Sequence, residues 1–101
     1  MNDELSRADL KRAVEKMHGC RAKFREVVAV VETFRGKLVW DGEVQVFDVT
    51  RHPTAKVCYV WSSPVEGTER RKVFAVLGIP PVKTAVDAVR ASIVAEHQKP
   101  L

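Results

Sequence analysis

The residues from Gly36 to Trp61 constrain the fold more than any other part of the chain, because their side chains alternate in polarity. From residue 38 to residue 46 the even positions carry Leu, Trp, Gly, Val and Val, whereas positions 41, 43 and 45 are polar. A period of two places one row of side chains on a core and the other in water. A second alternating run extends from Ala55 to Trp61. Pro53 lies between the runs and has no N–H to donate to a ladder, so the stretch predicts two strands joined by a loop.

The dipeptide Asp41-Gly42 leaves two alternatives open within the first run. An Asp-Gly pair is typical of a tight hairpin turn, because both central residues of a type I′ turn need positive φ. Glycine also interrupts long strands at bulges. The sequence predicts either a turn or a bulged long strand at this point.

Two amphipathic helices flank the strands. Apolar residues recur every three or four positions from about Leu5 to His18 and from Val82 or Lys83 to His97. Two pairs with capping spacing lie near the helix starts: Ser6 with Asp9, and Thr84 with Asp87. Gly19 is typical of a residue that ends a helix.

Two further strands complete the sheet. The β-branched run within Phe24 to Phe34 predicts a strand before the central stretch, and Lys72 to Leu77 predicts one after it. Short linkers favour an antiparallel meander. We predict one α+β domain over residues 1–101, frayed at residues 1–4 and 98–101. It has an antiparallel four-stranded sheet, with the N-terminal and C-terminal helices packed on one face.

Composition argues against membrane and export classes. The longest apolar run, Val27 to Val31, is far too short to span a bilayer. The first residues are acidic where a signal peptide would be basic, so we expect a cytoplasmic protein with no membrane partner. Cys20 and Cys58 are distant in sequence and form no CxxC motif, which predicts reduced, at least partly buried thiols.

No catalytic or metal-binding motif is present in the sequence. The His and Cys residues lack the close pairs of a structural zinc site, so we expect no metal and no cofactor. There is no GxSxG, GxGxxG or Walker motif. A small-molecule enzyme would have to use His52 with Cys58 or Asp48, and this is the third of our three hypotheses.

Basic residues cluster near the predicted loops, and the chain has a formal net charge of +4. Our leading hypothesis is a non-enzymatic binding module for nucleic acid or another polyanion. Convergence of the loop at residues 62–72 with the start of the last helix would create one phosphate-binding patch from Arg70, Arg71, Lys72 and Lys83. The contact residues that this hypothesis specifies are Arg51, Lys56, Arg70, Arg71, Lys72 and Lys83.

The aromatic residues Trp40, Tyr59 and Trp61 allow two interpretations. Exposed rings would provide stacking platforms for bases. Their alternation with valines favours a place in the core. The alternative function is a protein-interaction or homodimerisation module, in which an incompletely covered sheet face or an edge strand pairs with a second copy.

The order of helices and strands resembles, in outline, the double-stranded-RNA-binding domain. That family has a helix, three strands and a helix with a basic start, whereas the segment Pro80 to Thr84 lacks clustered lysines and the sheet has a fourth strand. The runs VWDGEVQVFDV, HPTAKVCYVWS and PPVKTAVDAVRASIVAE are similar to short uncharacterised bacterial proteins over about residues 27–97. That resemblance implies a bacterial cytoplasmic origin and no assigned activity.

Overall fold

The computed structural model describes residues 6–65 and 67–97. The elements are α1 (Arg7–His18), β1 (Arg21–Phe34), β2 (Lys37–Thr50), β3 (Val57–Pro64), β4 (Arg71–Leu77) and α2 (Ala85–His97). The strands form one antiparallel sheet in the order β1-β2-β3-β4, which confirms the predicted α+β meander. Residues 1–4 and 98–101, which we predicted to fray, lie outside the described part of the chain.

Both helices begin with the predicted caps. Ser6 Oγ accepts a hydrogen bond from the Asp9 N–H, and the Asp9 carboxylate accepts one from the Ser6 N–H, both at 3.1 Å. Thr84 Oγ1 accepts from the Asp87 N–H at 3.1 Å, and Asp87 Oδ2 accepts from the Lys83 N–H at 3.0 Å. These bonds satisfy backbone donors that have no partner inside a helix. Gly19 ends α1 with φ of 61°.

Of the two alternatives predicted at Asp41-Gly42, the bulged long strand is confirmed, although its register shift lies at Val39, and the tight turn is wrong. Gly42 lies inside the continuous strand. It pairs with Val30 in the regular β1–β2 ladder, and the hairpin turns at Arg35 and Gly36 instead. The indole of Trp40 folds over Gly42, where an added Cβ would approach the ring carbon Cη2 to 3.0 Å. Glycine suits this position because an aromatic side chain covers the backbone, and a Cβ would oblige the ring to shift by a few tenths of an ångström.

The two helices pack on opposite faces of the sheet, and our prediction of one shared face is wrong. Leu10 and Val14 of α1 pack with Phe47, Cys58 and Val60. A second cluster holds side chains of α2 and of the other sheet face: Val44, Val46, Tyr59, Trp61, Ala85, Ala88 and Val89. Successive strand residues point to opposite faces. Because residues 57–61 are all apolar, both faces of β3 need a cover, and each helix provides one.

A bulge in β1 changes which side chains face each helix. Ala22 and Phe24 belong to the α1 face, whereas Val28 and Val30 belong to the α2 face. The register shift between Phe24 and Glu26 inserts Arg25 as an extra residue. One inserted residue reverses the alternation for the rest of a strand.

The two thiols are free and buried, in agreement with the predicted burial. Burial raises the pKa of the Cys58 thiol to about 12, because a thiolate would lose its hydration between α1 and the sheet. Because the folded state favours the neutral thiol, the stabilisation is fully present at pH values below the pKa of this thiol in the unfolded chain. That stability is lost as the pH rises from about 9 toward 12.

We therefore predict that ionisation of Cys58 makes the fold sensitive to base. The free energy of unfolding of the wild type falls more steeply above pH 9 than that of Cys58→Ala, by up to about 1.4 kcal/mol per pH unit. Urea unfolding at a series of pH values measures the difference. Parallel pH profiles for the two proteins would contradict the buried neutral thiol.

Candidate interaction surface

The structure separates the predicted basic residues into two groups at opposite ends of the sheet. Arg70, Arg71 and Lys72 lie where β3 ends and β4 begins. Lys83 follows the other end of β4, and its carbonyl accepts a hydrogen bond from the Tyr59 hydroxyl at 2.9 Å. The seven residues of β4 span roughly 23 Å. The convergence required for one patch of Arg70–Lys72 with Lys83 does not occur.

The three cations before and within β4 have different surroundings. Arg70 is exposed. Arg71 is half-buried, with Nε donating to Ser62 Oγ at 2.9 Å and Nη2 to the Ser62 carbonyl at 3.0 Å. Lys72 Nζ lies 5.0 Å from the centroid of the Phe74 ring. The Arg71 side chain is therefore held against β3 and does not belong to a solvated basic loop.

Arg51 and Lys56 are exposed on the loop between β2 and β3, at the same end of the sheet as Lys83. His52 Nδ1 fixes this loop by accepting hydrogen bonds from the N–H groups of Thr54 and Ala55, at 3.2 and 2.9 Å. Arg51 has φ of 61°. We call Arg51, Lys56 and Lys83 the basal cations.

The three candidate stacking residues belong mainly to the core. Trp61 is 2% exposed and stacks on Phe74, with ring centroids 5.3 Å apart. Tyr59 is also buried. Trp40 is half-buried and meets Trp61 edge to face at 5.9 Å. The core interpretation is confirmed for Tyr59 and Trp61, so these two rings offer no platform for bases.

The residues proposed for a small-molecule enzyme do not form a site. Cys58 is buried on the α1 face, whereas Asp48 points to the α2 face and forms an ion pair with Arg25 at 2.9 Å. His52 uses Nδ1 to hold its own loop. Among the side chains that the structure describes, in residues 6–65 and 67–95, no group of three or more His, Cys, Asp or Glu is placed to hold a metal ion.

The most unusual surface of the molecule lies at the end of the β1–β2 hairpin. β2 pairs with β3 only from Gln45 to Asp48, so the remainder of the long hairpin projects as a two-stranded arm. Val31, Phe34 and Leu38 on this arm are 60–63% exposed. We call the following exposed side chains, which occupy both faces of the arm and the end of α2, the distal apolar surface: Val31, Phe34, Leu38, Val39 and Val94. Val31 follows Val30 of the α2 face, so it points to the opposite face of the arm.

A groove of about 470 Å³ lies between the arm and the end of α2. Phe34 and Val39 line one side, and Ile93 and Val94 line the other. Glu32 and Arg90 also line it and form an ion pair, with Arg90 Nε 2.7 Å from Glu32 Oε1. Because these two charges compensate each other, the groove is apolar with a neutral rim.

Sequence analysis missed this surface although a signal was present. Phe34, Leu38 and Val39 lie close to the short turn at residues 35–36, where a solvated hairpin tip is ordinarily polar. The alternation over residues 38–46 predicted a strand with one buried face. It did not show that the hairpin extends beyond the cover that the two helices provide.

The functional interpretation of this protein depends on the geometry described above, because comparison with known proteins identifies no relative. Neither helix of the described chain has the length and apolar content required to cross a membrane. The chain matches no protein-family model, and no curated protein or solved structure is similar to it at a significant level. The resemblances to short bacterial proteins and to RNA-binding domains remain predictions.

Proposed function

We propose that this protein is a non-enzymatic interaction module that forms a homodimer through the distal apolar surface. The supporting observation is the exposure of Phe34, Leu38 and Val31, each more than half accessible on a single arm. Exposed apolar area costs roughly 25 cal/mol per Å² relative to burial. Phe34 shares one groove with Val39 and Val94, and contiguous apolar patches of this kind mark contact sites for other molecules.

The shape and charge of the surface support a second copy as the partner. The surface combines side chains on the projecting tip, Phe34 and Leu38, with an adjacent groove. A two-fold contact needs a patch that complements itself, so that the projection of each copy fills the groove of the other. The ion pair of Glu32 with Arg90 leaves no uncompensated charge in the groove to repel an identical groove.

We predict a concentration-dependent dimer with twice the 11.3 kDa mass of the chain. The double variant Phe34→Ser/Val94→Ser removes one side chain from each wall of the groove. It is expected to weaken association at least tenfold, about 1.4 kcal/mol, because such apolar contacts dominate interface energies. Sedimentation equilibrium over a wide concentration range measures the effect.

Met17→Ser provides a matched control, because Met17 is 55% exposed on α1 and lies outside the distal apolar surface. This variant is expected to dimerise as the wild type does. A wild type that stays monomeric at all concentrations, or an equal loss in Met17→Ser, would overturn the proposal.

An anionic partner at the basal cations is a second candidate function. Arg51 and Lys56 extend into solvent from a loop that His52 holds in place, and Lys83 lies at the same end of the sheet. Exposed cations on a fixed loop bind phosphates with little loss of loop entropy. Nucleic acid remains the partner that this hypothesis specifies first.

For this candidate we predict micromolar binding to random-sequence duplex DNA, single-stranded DNA or RNA by fluorescence anisotropy. Three phosphate contacts would give a log–log salt slope of roughly −2 to −3. Arg51→Ala/Lys56→Ala is expected to reduce both affinity and slope, whereas Arg70→Ala at the opposite end leaves them unchanged. Absence of binding at low salt, or equal effects of the two variants, would contradict it.

A further inference from the structure

The sheet contains an opening between β2 and β3. The two strands pair only where Gln45–Asp48 meet Val57–Val60, although β2 begins at Lys37 and β3 continues to Pro64. The unpaired parts border a cavity of about 680 Å³, which we call the β2–β3 cleft. Its lining includes Trp40, Asp41, Glu43, Gln45, Ser62 and Arg71. Ligand pockets in proteins have volumes of roughly 300–1,000 Å³.

Two backbone hydrogen bonds at the base of the sheet show which residues of β2 and β3 direct their backbone groups toward the β2–β3 cleft. The Val49 N–H donates to the Lys56 carbonyl at 2.9 Å, and the Gly78 N–H donates to the Val57 carbonyl at 2.8 Å. In an antiparallel ladder these groups alternate between the two sides of a strand. Odd-numbered residues of β2 and even-numbered residues of β3 therefore direct their N–H and C=O groups toward each other.

The next rungs of the ladder would join Glu43 with Ser62 and Asp41 with Pro64, and neither rung forms. On β3, the Ser62 carbonyl accepts from Arg71 Nη2 at 3.0 Å instead, and Pro64 has no N–H. On β2, the N–H and C=O groups of Asp41 and Glu43 have no ladder partner in the described residues. The edge of β3 is thus closed by the Arg71 side chain, whereas the backbone edge of β2 at Asp41 and Glu43 has no ladder partner. Beside it, Trp40 Nε1 donates to Ser63 Oγ across the cleft at 3.4 Å.

Two side chains in the β2–β3 cleft have incomplete partners. The Arg71 guanidinium is half-buried, and both of its hydrogen-bond acceptors belong to the neutral residue Ser62. None of the ion pairs found among residues 6–65 and 67–97 includes Arg71. Gln45 Oε1 is buried and accepts no hydrogen bond. A partly buried cation and an unpaired amide oxygen both favour a ligand that supplies an anion and a donor.

We propose that the β2–β3 cleft binds an extended segment of another protein, which adds to the inner edge of β2 and places an acidic side chain against Arg71. An unpaired strand edge is complementary to a peptide backbone, because strand addition satisfies alternate N–H and C=O groups. Asp41 and Glu43 are two residues apart, so they pair with alternate residues of the bound segment. A guanidinium and a carboxylate form strong charge-assisted hydrogen bonds.

The proposed sites for the bound segment and the second copy adjoin each other, because Leu38 and Val39 of the distal apolar surface also line the β2–β3 cleft. Phe34 and Val94, which define the dimer test, do not line the β2–β3 cleft, and Arg71 does not line the apolar groove. Peptide binding is therefore expected in both the monomeric variant and the wild type.

The experiment uses a labelled pool of heptapeptides that are blocked at both ends, with a central Glu and with Thr, Val, Ile or Tyr elsewhere. Fluorescence anisotropy with the full chain is expected to give micromolar binding for a subset. Replacing the central Glu by Gln in the tightest peptide should weaken binding at least tenfold, and Arg71→Gln should abolish that difference. No binding from the pool, or equal binding of the Glu and Gln peptides, would overturn the proposal.

Backbone pairing is tested separately from charge. N-methylation of one alternate set of peptide nitrogens should abolish binding, whereas methylation of the other set is tolerated. Glu43→Pro removes a cleft-facing N–H and leaves the β1 ladder intact, so it should also abolish binding, whereas Glu43→Ala should not. If Glu43→Pro fails to fold, the methylated peptides decide the outcome. Equal tolerance of both methylated sets would exclude strand addition.

Discussion

The apolar run of β3 is the constraint on which the rest of the structure depends. Residues 57–61 carry no charged side chain, and four of the five are buried. A strand that is apolar on both faces must be covered on both faces, because water on either side would forfeit burial of a row of large side chains. The chain has two helices, so each face receives one. The order helix, meander, helix places one cover before the sheet and one after it.

This division leaves neither helix able to cover the whole sheet. An α-helix rises 1.5 Å per residue and a strand about 3.3 Å, so the 12 residues of α1 are much shorter than the 14 residues of β1 or β2. The part of the hairpin beyond the helices becomes the exposed arm. The distal apolar surface is a consequence of this mismatch in length.

The same geometry produces the β2–β3 cleft. Where α1 and α2 pack, β2 and β3 are held together by Phe47, Cys58, Val46 and Tyr59. Beyond Gln45 the strands separate, and polar side chains replace the apolar ones on the α1 face of β2. Arg71 then takes the acceptor on Ser62 that the missing rung would have used. The short ladder between β2 and β3 therefore joins two ribbons, β1–β2 and β3–β4, each of which is paired along nearly its whole length.

Local patterns in the sequence predicted those features that depend on neighbouring residues. The caps at Ser6 and Thr84, the stop at Gly19 and the burial of Tyr59 and Trp61 each follow from spacing within a few positions. The register shift at Arg25 could not be predicted from the spacing of apolar residues, because these residues occupy both odd and even positions of β1. The role of Gly42 likewise depends on the rotamer of Trp40, which alternation does not specify.

The sequence by itself determined the elements, their order and the antiparallel meander, since period, caps and linker lengths are local properties. Only the tertiary structure decided that the helices lie on opposite faces and that Lys83 is remote from Arg71. Only the tertiary structure decided that Arg71 enters a cleft and that the hairpin extends past its cover. These features depend on the relative lengths of packed elements and on where a ladder ends. The packing of the elements and the end of the ladder depend on contacts between residues far apart in the chain. A periodic pattern in the sequence carries no information about such contacts.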